Sequence, residues 1–182
     1  GHLGIRHYAL DCTDAFERDV LRPAWDEYDR GRTPSPCLLC NERMKFGTLL
    51  AWARSVGAAT LATGHYARIG RDPEGRPTLL RGADPAKDQS YFLAGLDAAR
   101  LSALAFPLGG ITKPEVRALA ATLDLPSSTA PDSQDACLVG RGQTFAGMLR
   151  ERFGADVRPG VVVDDDGVVV GRHGGLHARA LG

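Results

Sequence analysis

Apolar residues recur along this chain at helical spacing in three places and at strand spacing in four. Asp14 with Glu17 three residues on predicts a helix start, and Phe16, Val20, Trp25 and Tyr28 mark its inward face. Pro23 predicts a kink in that helix and Gly31 its end. Asn41 reads as an N-cap, with Phe46, Leu49, Leu50 and Ala53 at i, i+3, i+4 and i+7, and Gly57 ends this second helix. Thr112-Lys-Pro-Glu115 reads as a capping box with Pro in the first turn, followed by Val116, Leu119, Ala120 and Leu123 at the same spacing, and Pro126 as the stop. Between Gly31 and Asn41 two prolines predict a loop, Thr33 to Cys40, that places Cys40 just ahead of a helix N-terminus.

Ile5 to Leu10 and Ala58 to Thr63 read as short buried strands, the second ending at Gly64-His65. Tyr66 to Ile69 and Thr78 to Arg81, joined through Asp72-Pro-Glu-Gly75, predict a polar surface hairpin. Gly160 to Val170 predicts another, with an Asp/Gly turn. Strand, helix, strand implies an α/β fold with a parallel sheet, and ligands favour the carboxyl edge of such a sheet, where Gly64 and His65 fall. Lys87 to Leu93 leads into a further helix. The change from βα units to a hairpin predicts a boundary near Gly140 to Gln143, dividing the chain into residues 1–140 and a small α+β unit at 141–182.

A chain of 182 residues, 43% hydrophobic and 24% charged, is a core-forming chain of one domain with at most a small second one. Its apolar runs are too short to span a bilayer, so no membrane partner is expected. Lys and Arg number 22 and so do Asp and Glu, so any nucleic acid must be held by a local basic patch. The opening Gly-His-Leu-Gly and the closing Ala-Leu-Gly, with no initiator Met, are read as the ends of an internal piece of a longer protein. Four Cys without a secretion signal fit a reducing cytoplasm better than a disulfide scaffold.

Cys37 and Cys40 form Cys-x-x-Cys, which by spacing alone fits a redox pair, half of a zinc site, or one useful thiol with an incidental neighbour. Zinc is disfavoured, because Cys12 and Cys137 are far apart and neither has a second ligand nearby; no metal site is assigned. A helix N-terminus lowers a thiol pKa from its usual ~8.5, which favours Cys40, with Arg32, Arg43 and Lys45 close in sequence. Cys137, among Asp132, Ser133, Gln134 and Asp135, reads on its own as a small core residue, and Cys12 more strongly so. His65 after Gly64 is either a ligand contact or a turn histidine. Lys87, Asp88 and Gln89 suit phosphate and base edges, or simply a solvated helix start.

Seven blocks in order carry a resemblance: Gly31-Arg-Thr-Pro-Ser-Pro-Cys-Leu-Leu-Cys-Asn41, Lys45-Phe-Gly47, Ala62-Thr-Gly-His-Tyr-Ala-Arg68, Lys87-Asp-Gln-Ser-Tyr-Phe-Leu93, Phe106-Pro-Leu-Gly109, Lys113-Pro-Glu-Val-Arg117 and Asp132-Ser-Gln-Asp-Ala-Cys137. Together they resemble the tRNA-specific 2-thiouridylases of the MnmA (TrmU) type. The resemblance implies a partial ATP-pyrophosphatase domain, adenine nucleotide alpha hydrolase-like, followed by the start of a tRNA-binding domain. It implies Mg-dependent use of ATP to adenylate the wobble uridine (position 34) of tRNA and then replace its C2 oxygen with sulfur, the sulfur coming from an upstream persulfide donor protein. Carried over by motif, Cys137 holds the sulfur as a persulfide and Cys40 is the nucleophile that releases it, leaving a transient Cys40 to Cys137 disulfide. Gly64 matches an ATP contact; Ser35, Pro36 and Cys37 the loop at the target base; His65, Lys87, Asp88 and Gln89 further tRNA contacts.

The chain departs from that pattern in places. The Ser-Gly-Gly-x-Asp-Ser phosphate loop does not occur in these residues, Ser35 stands where Asn is usual and Leu138 where Phe is usual, and no Lys precedes Asp132-Ser133. These residues alone are not expected to adenylate RNA. Two rivals remain: a thiol-disulfide oxidoreductase using Cys37 and Cys40, and a non-catalytic tRNA-binding or zinc-stabilised module.

Overall fold

The computed structural model describes residues 4–129, 138–139, 142–154 and 157–178. Helix α1 (13–29) begins at Thr13, one residue before the expected Asp14, with the Asp11 carboxylate accepting from the Thr13 N–H and hydroxyl. Its middle, Glu17–Leu21, is wound as π-helix and its end, Arg22–Asp29, as α-helix. Pro23 therefore falls in the first turn after a wider coil, where its missing N–H is tolerated. Gly31, at φ +74°, closes the helix as the sequence predicts.

Helix α2 (36–55) overturns the expected loop. Pro36 is its first residue and Ser35 its N-cap, because a proline at the first helical position loses no hydrogen bond and brings the right φ. The helix runs as α through Pro36–Leu39, as π through Cys40–Leu49, and as α again through Leu50–Ser55; the Leu50 N–H donates to the Lys45 carbonyl, five residues back. Asn41 is not a cap but a buried residue whose Nδ2 donates to the Phe92 carbonyl at 2.9 Å. Phe46, Leu50 and Ala53 are buried and Leu49 is half-buried, as the spacing requires.

Strand β1 (Leu61–Ala62) pairs in parallel with β4 (Leu104–Ala105), which supports the α/β class. It is shorter and more exposed than expected. Strands β2 (Ala67–Arg71) and β3 (Pro77–Arg81) form the first predicted hairpin. After a 3₁₀ turn at Ser90–Leu93, helix α3 (Ala98–Leu101) leads into β4. Phe46, Leu50, Ala67, Leu93, Leu101, Ala103, Leu104 and Phe106 are the buried core here, with Ile69 and Leu79 of the hairpin packed against it. Ile5 to Leu10 forms no strand: it runs irregular and exposed, because among the described residues β1 has only β4 beside it and a lone strand leaves its backbone groups without a ladder.

Helix α4 (Lys113–Thr122) starts as predicted, the Glu115 carboxylate accepting from the Thr112 N–H and hydroxyl at 2.7 Å each. Its apolar face is not buried: Leu119 and Leu123 stand more than half exposed. Helix α5 (Phe145–Phe153) packs on α1, and Leu149 joins Leu21, Ala24 and Trp25 in a second core cluster. Strands β5 (Gly160–Val163) and β6 (Val169–His173) form the second predicted hairpin, with a bulge between Val162 and Val163. Gly140 and Arg141, at the expected boundary, lie outside the described residues.

Candidate functional site

At the carboxyl end of β1, Thr63, Gly64 and His65 meet Lys45 and Leu49 of α2 and Gln89, and together they line a cleft of about 430 Å³. That is within the usual range for a small-molecule or base pocket. Three residues expected from the sequence, Gly64, His65 and Gln89, are thus brought together. Lys45, Leu49 and Thr63 were given no role there, although Lys45 and Thr63 stand inside two of the matching blocks, which was the available signal.

His65 is buried, 9% exposed, and sits between aromatic rings: its centroid is 5.7 Å from Phe46 and 5.9 Å from Phe106. Burial, with a smaller contribution from the Lys45 charge, pushes its pKa down to about 4. At neutral pH it is an uncharged imidazole. Thr63 Oγ1 lies 2.8 Å from His65 Nδ1 and fixes the ring. Any contact His65 makes in the cleft is therefore a neutral hydrogen bond, and the cation lining the cleft is Lys45.

Gln89 is held rather than free to search. Its Oε1 accepts from the Tyr66 N–H at 3.0 Å, and its own N–H donates to the Tyr66 carbonyl at 2.9 Å. Asp88 accepts from the Gly82 and Ser90 N–H groups and the Ser90 hydroxyl. Burial alone would raise the Asp88 pKa, but these donors and the Arg81 charge outweigh it and keep the group below the usual carboxylate value. Lys87 begins the same turn, its N–H donating to the Asp84 carbonyl. Two of the three expected contacts in this segment thus spend side-chain hydrogen bonds on shaping the loop.

Ser35, Pro36 and Cys37 are the cap and first two residues of α2, so the helix N-terminus belongs to Cys37, and Cys40 lies in the second turn. Arg32 is drawn away by Glu27, whose Oε1 accepts from its Nη2 at 2.7 Å, and Arg43 Nη1 donates to the Asp19 carbonyl. Of the three cations expected near Cys40, only Lys45 faces the cleft. In the π-wound stretch and at the residue after it, Asn41, Met44, Phe46 and Leu50 are buried, and Cys40, Lys45 and Leu49 are half-buried beside them. Cys40 thus lies about one turn before Lys45 and two before Leu49. Cys137 lies outside the described residues.

A nucleotide fits this cleft in kind: a glycine at the carboxyl end of a parallel strand, a hydroxyl and one lysine. A Cβ built on Gly64 meets only Leu108 Cδ1, at 3.6 Å, so close packing does not demand the glycine. Among the described residues no group of three or more His, Cys, Asp or Glu is placed to hold a metal ion, and no helix is long and apolar enough to cross a membrane.

Residues 1–141 match the protein family described as the tRNA methyl transferase HUP domain. The chain belongs to that family. Its HUP-type α/β fold agrees with the parallel pairing of β1 and β4. Curated relatives of this HUP-domain chain include the tRNA-specific 2-thiouridylase MnmA of Geobacter metallireducens, 46% identical over 180 residues, covering 99% of this chain and 49% of the relative. The enzymes of the same name from Rhodospirillum centenum (49% identical, 99% of this chain, 45% of the relative) and Thermus thermophilus (48% identical, 99% of this chain, 47% of the relative) match it similarly. The resemblance seen in the seven blocks therefore holds across nearly the whole sequence. The chain spans about half the length of these relatives.

Proposed function

We propose that this chain carries the thiol-bearing part of an enzyme that replaces the C2 oxygen of the wobble uridine of tRNA with sulfur. The observation that carries this is the convergence of Lys45, Gly64, His65 and Gln89 on one cleft beside the helix bearing Cys37 and Cys40, in a chain whose relatives are named 2-thiouridylases. ATP, with Mg, supplies one thing: it converts the C2 oxygen, a poor leaving group, into a good one. Gly64 and Lys45 are suited to the anionic end of that substrate. His65 and Gln89 are suited to the nucleobase, His65 as a neutral hydrogen-bonding ring and Gln89 through the loop it holds.

Sulfur reaches Cys137 as a persulfide from a donor protein. The terminal sulfur forms a bond to C2 as the activated oxygen leaves with AMP. The Cys40 thiolate then attacks Cys137 Sγ, which breaks the bond to the transferred sulfur and leaves the base thiolated and the two cysteines joined in a disulfide. A cellular thiol reductant returns both to thiols. Ser35, Pro36 and Cys37, at the half-buried start of α2, border the target base, and Lys87 to Gln89 border the RNA beyond it. We place the catalytic part at residues 1–140 and the start of the RNA-holding part at 141–182, with work in the cytoplasm where tRNA is modified.

The test is mass spectrometry of position 34 in cells lacking the gene and complemented with the complete gene product carrying Cys40→Ser or Cys137→Ser. Both variants are expected to abolish 2-thiouridine, and Cys37→Ser to reduce it much less. Full thiolation with either of the first two sinks the mechanism. Loss with Cys37→Ser and not with Cys137→Ser would favour a redox pair instead.

A further inference from the structure

The β2–β3 ribbon carries four arginines, Arg68, Arg71, Arg76 and Arg81, against two acids, Asp72 and Glu74, in a chain that is neutral overall. Both acids are taken by one partner: Arg76 Nε bonds Asp72 at 2.7 Å and its Nη2 bonds Glu74 at 3.2 Å. Arg68, Arg71 and Arg81 are exposed, and none has a carboxylate within ion-pair distance among the described residues. Arg68 Nε donates to the Arg81 carbonyl at 2.8 Å and Arg71 Nη1 to the Gly75 carbonyl at 2.6 Å, which fixes each stem and leaves the rest of each guanidinium outward. At the ribbon's foot Asp84 and Asp88 spend their hydrogen bonds on backbone N–H groups and the Ser90 hydroxyl, and although Asp88 feels the Arg81 charge it forms no ion pair with it.

The ribbon is rigid where it meets the cleft. A Cβ at Gly109 would lie 1.7 Å from the Ala67 carbonyl oxygen, and one at Gly82 2.6 Å from that of Tyr66, so two turns are pressed directly against its base. Arg68 follows the cleft residue His65 by three positions, and Arg81 sits across from Ala67. From there to Arg71, paired with Pro77, the ribbon runs four residues, about 13 Å. Arg71 and Arg81 fall on one face of the ribbon by register and Arg68 on the other, so the guanidiniums flank a ribbon that begins at a base-sized cleft. This suits an extended polyanion leaving that cleft, because each planar fork can take two phosphate oxygens.

We propose that the β2–β3 ribbon is an RNA-backbone clamp, in which Arg68, Arg71 and Arg81 contact phosphates flanking the base held in the cleft. This rests on RNA being the substrate. Phosphate contacts of this kind set register and carry no sequence preference. The test measures equilibrium binding of the complete gene product to unmodified tRNA across a salt series. Arg81→Gln and Arg68→Gln are expected each to weaken binding several-fold, to a similar extent for different tRNAs, and to lower the log-log salt slope by about 1. Arg68→Lys keeps the charge and is expected to restore the slope, which separates the clamp from a mere loss of the Arg81 carbonyl bond. Arg18→Gln, at an exposed arginine already paired with Asp19, should change neither. Unchanged affinity and slope in Arg81→Gln and Arg68→Gln, with normal binding by the unaltered protein, overturns the clamp alone, including where sulfur delivery falls instead because the arm meets an acidic protein. No tRNA binding by the unaltered protein overturns the functional reading and the clamp with it.

Discussion

Two antiparallel hairpins in this chain were equally visible in the sequence, and they have opposite fates. In the first, β2–β3, Ala67 is fully buried and Ile69 and Leu79 pack on the core, so the inner face is held and the arginines are displayed from a fixed support. In the second, β5–β6, all six valines from Val161 to Val163 and Val168 to Val170 stand at least 39% exposed. Periodicity and turn chemistry specify that a ribbon forms; what lies beside it decides whether its apolar residues add stability.

The sharpest way to break the comparison is at the glycines. Gly109→Ala drives a methyl into the Ala67 carbonyl and is expected to cost about 4 kcal/mol, detaching the first ribbon. Gly167→Ala in the second ribbon's turn, at φ +80° with nothing within 4 Å, should cost about 1 kcal/mol. Chemical denaturation of the two variants measures the difference. Equal losses would mean that the two ribbons are held alike.

Next is acid. Because His65 binds its proton far less readily folded than unfolded, its effect on stability is absent above about pH 6.5, grows as pH falls, and levels off below about pH 4. The full loss is roughly 3 kcal/mol. Denaturation midpoints between pH 7 and pH 4 should show this decline in the unaltered protein and a smaller one in His65→Gln. Parallel curves would refute the assignment. The smallest contrast is truncation of one side chain per ribbon: Ile69→Ala should cost about 2 kcal/mol, and Val169→Ala less than about 0.5 kcal/mol. Thermal melts resolve the two.

Much of the local structure was legible because it rests on short-range chemistry. Gly31 and Gly57 end their helices at positive φ, and the Thr112–Glu115 pair opens α4, as their residue types require. The failures share a cause in what surrounds a segment. Ile5 to Leu10 has a strand's composition but pairs with no strand among the described residues, and Leu119 and Leu123 have a helix face's spacing yet stand more than half exposed. The error at Pro36 was different: a proline that ends one element can equally begin the next, and only the chain after it decides. For the site, Gly64, His65 and Gln89 were found from motif positions, whereas Lys45, four residues before Leu49, was marked only as a cation near Cys40, because helical spacing does not say which face of a helix borders a cleft.

The π winding of α2 has a further consequence. In an ordinary α-helix residues five apart point about 140° away from each other, so Cys40 and Lys45 would sit on different sides. The wide coil from Cys40 to Leu49 narrows that angle, so how near the two positions fall to one face depends on helix pitch. Tightening this stretch to α geometry at unchanged length would turn Cys40 away from Lys45, whereas deleting one residue between them would set them four apart and return them to a shared face.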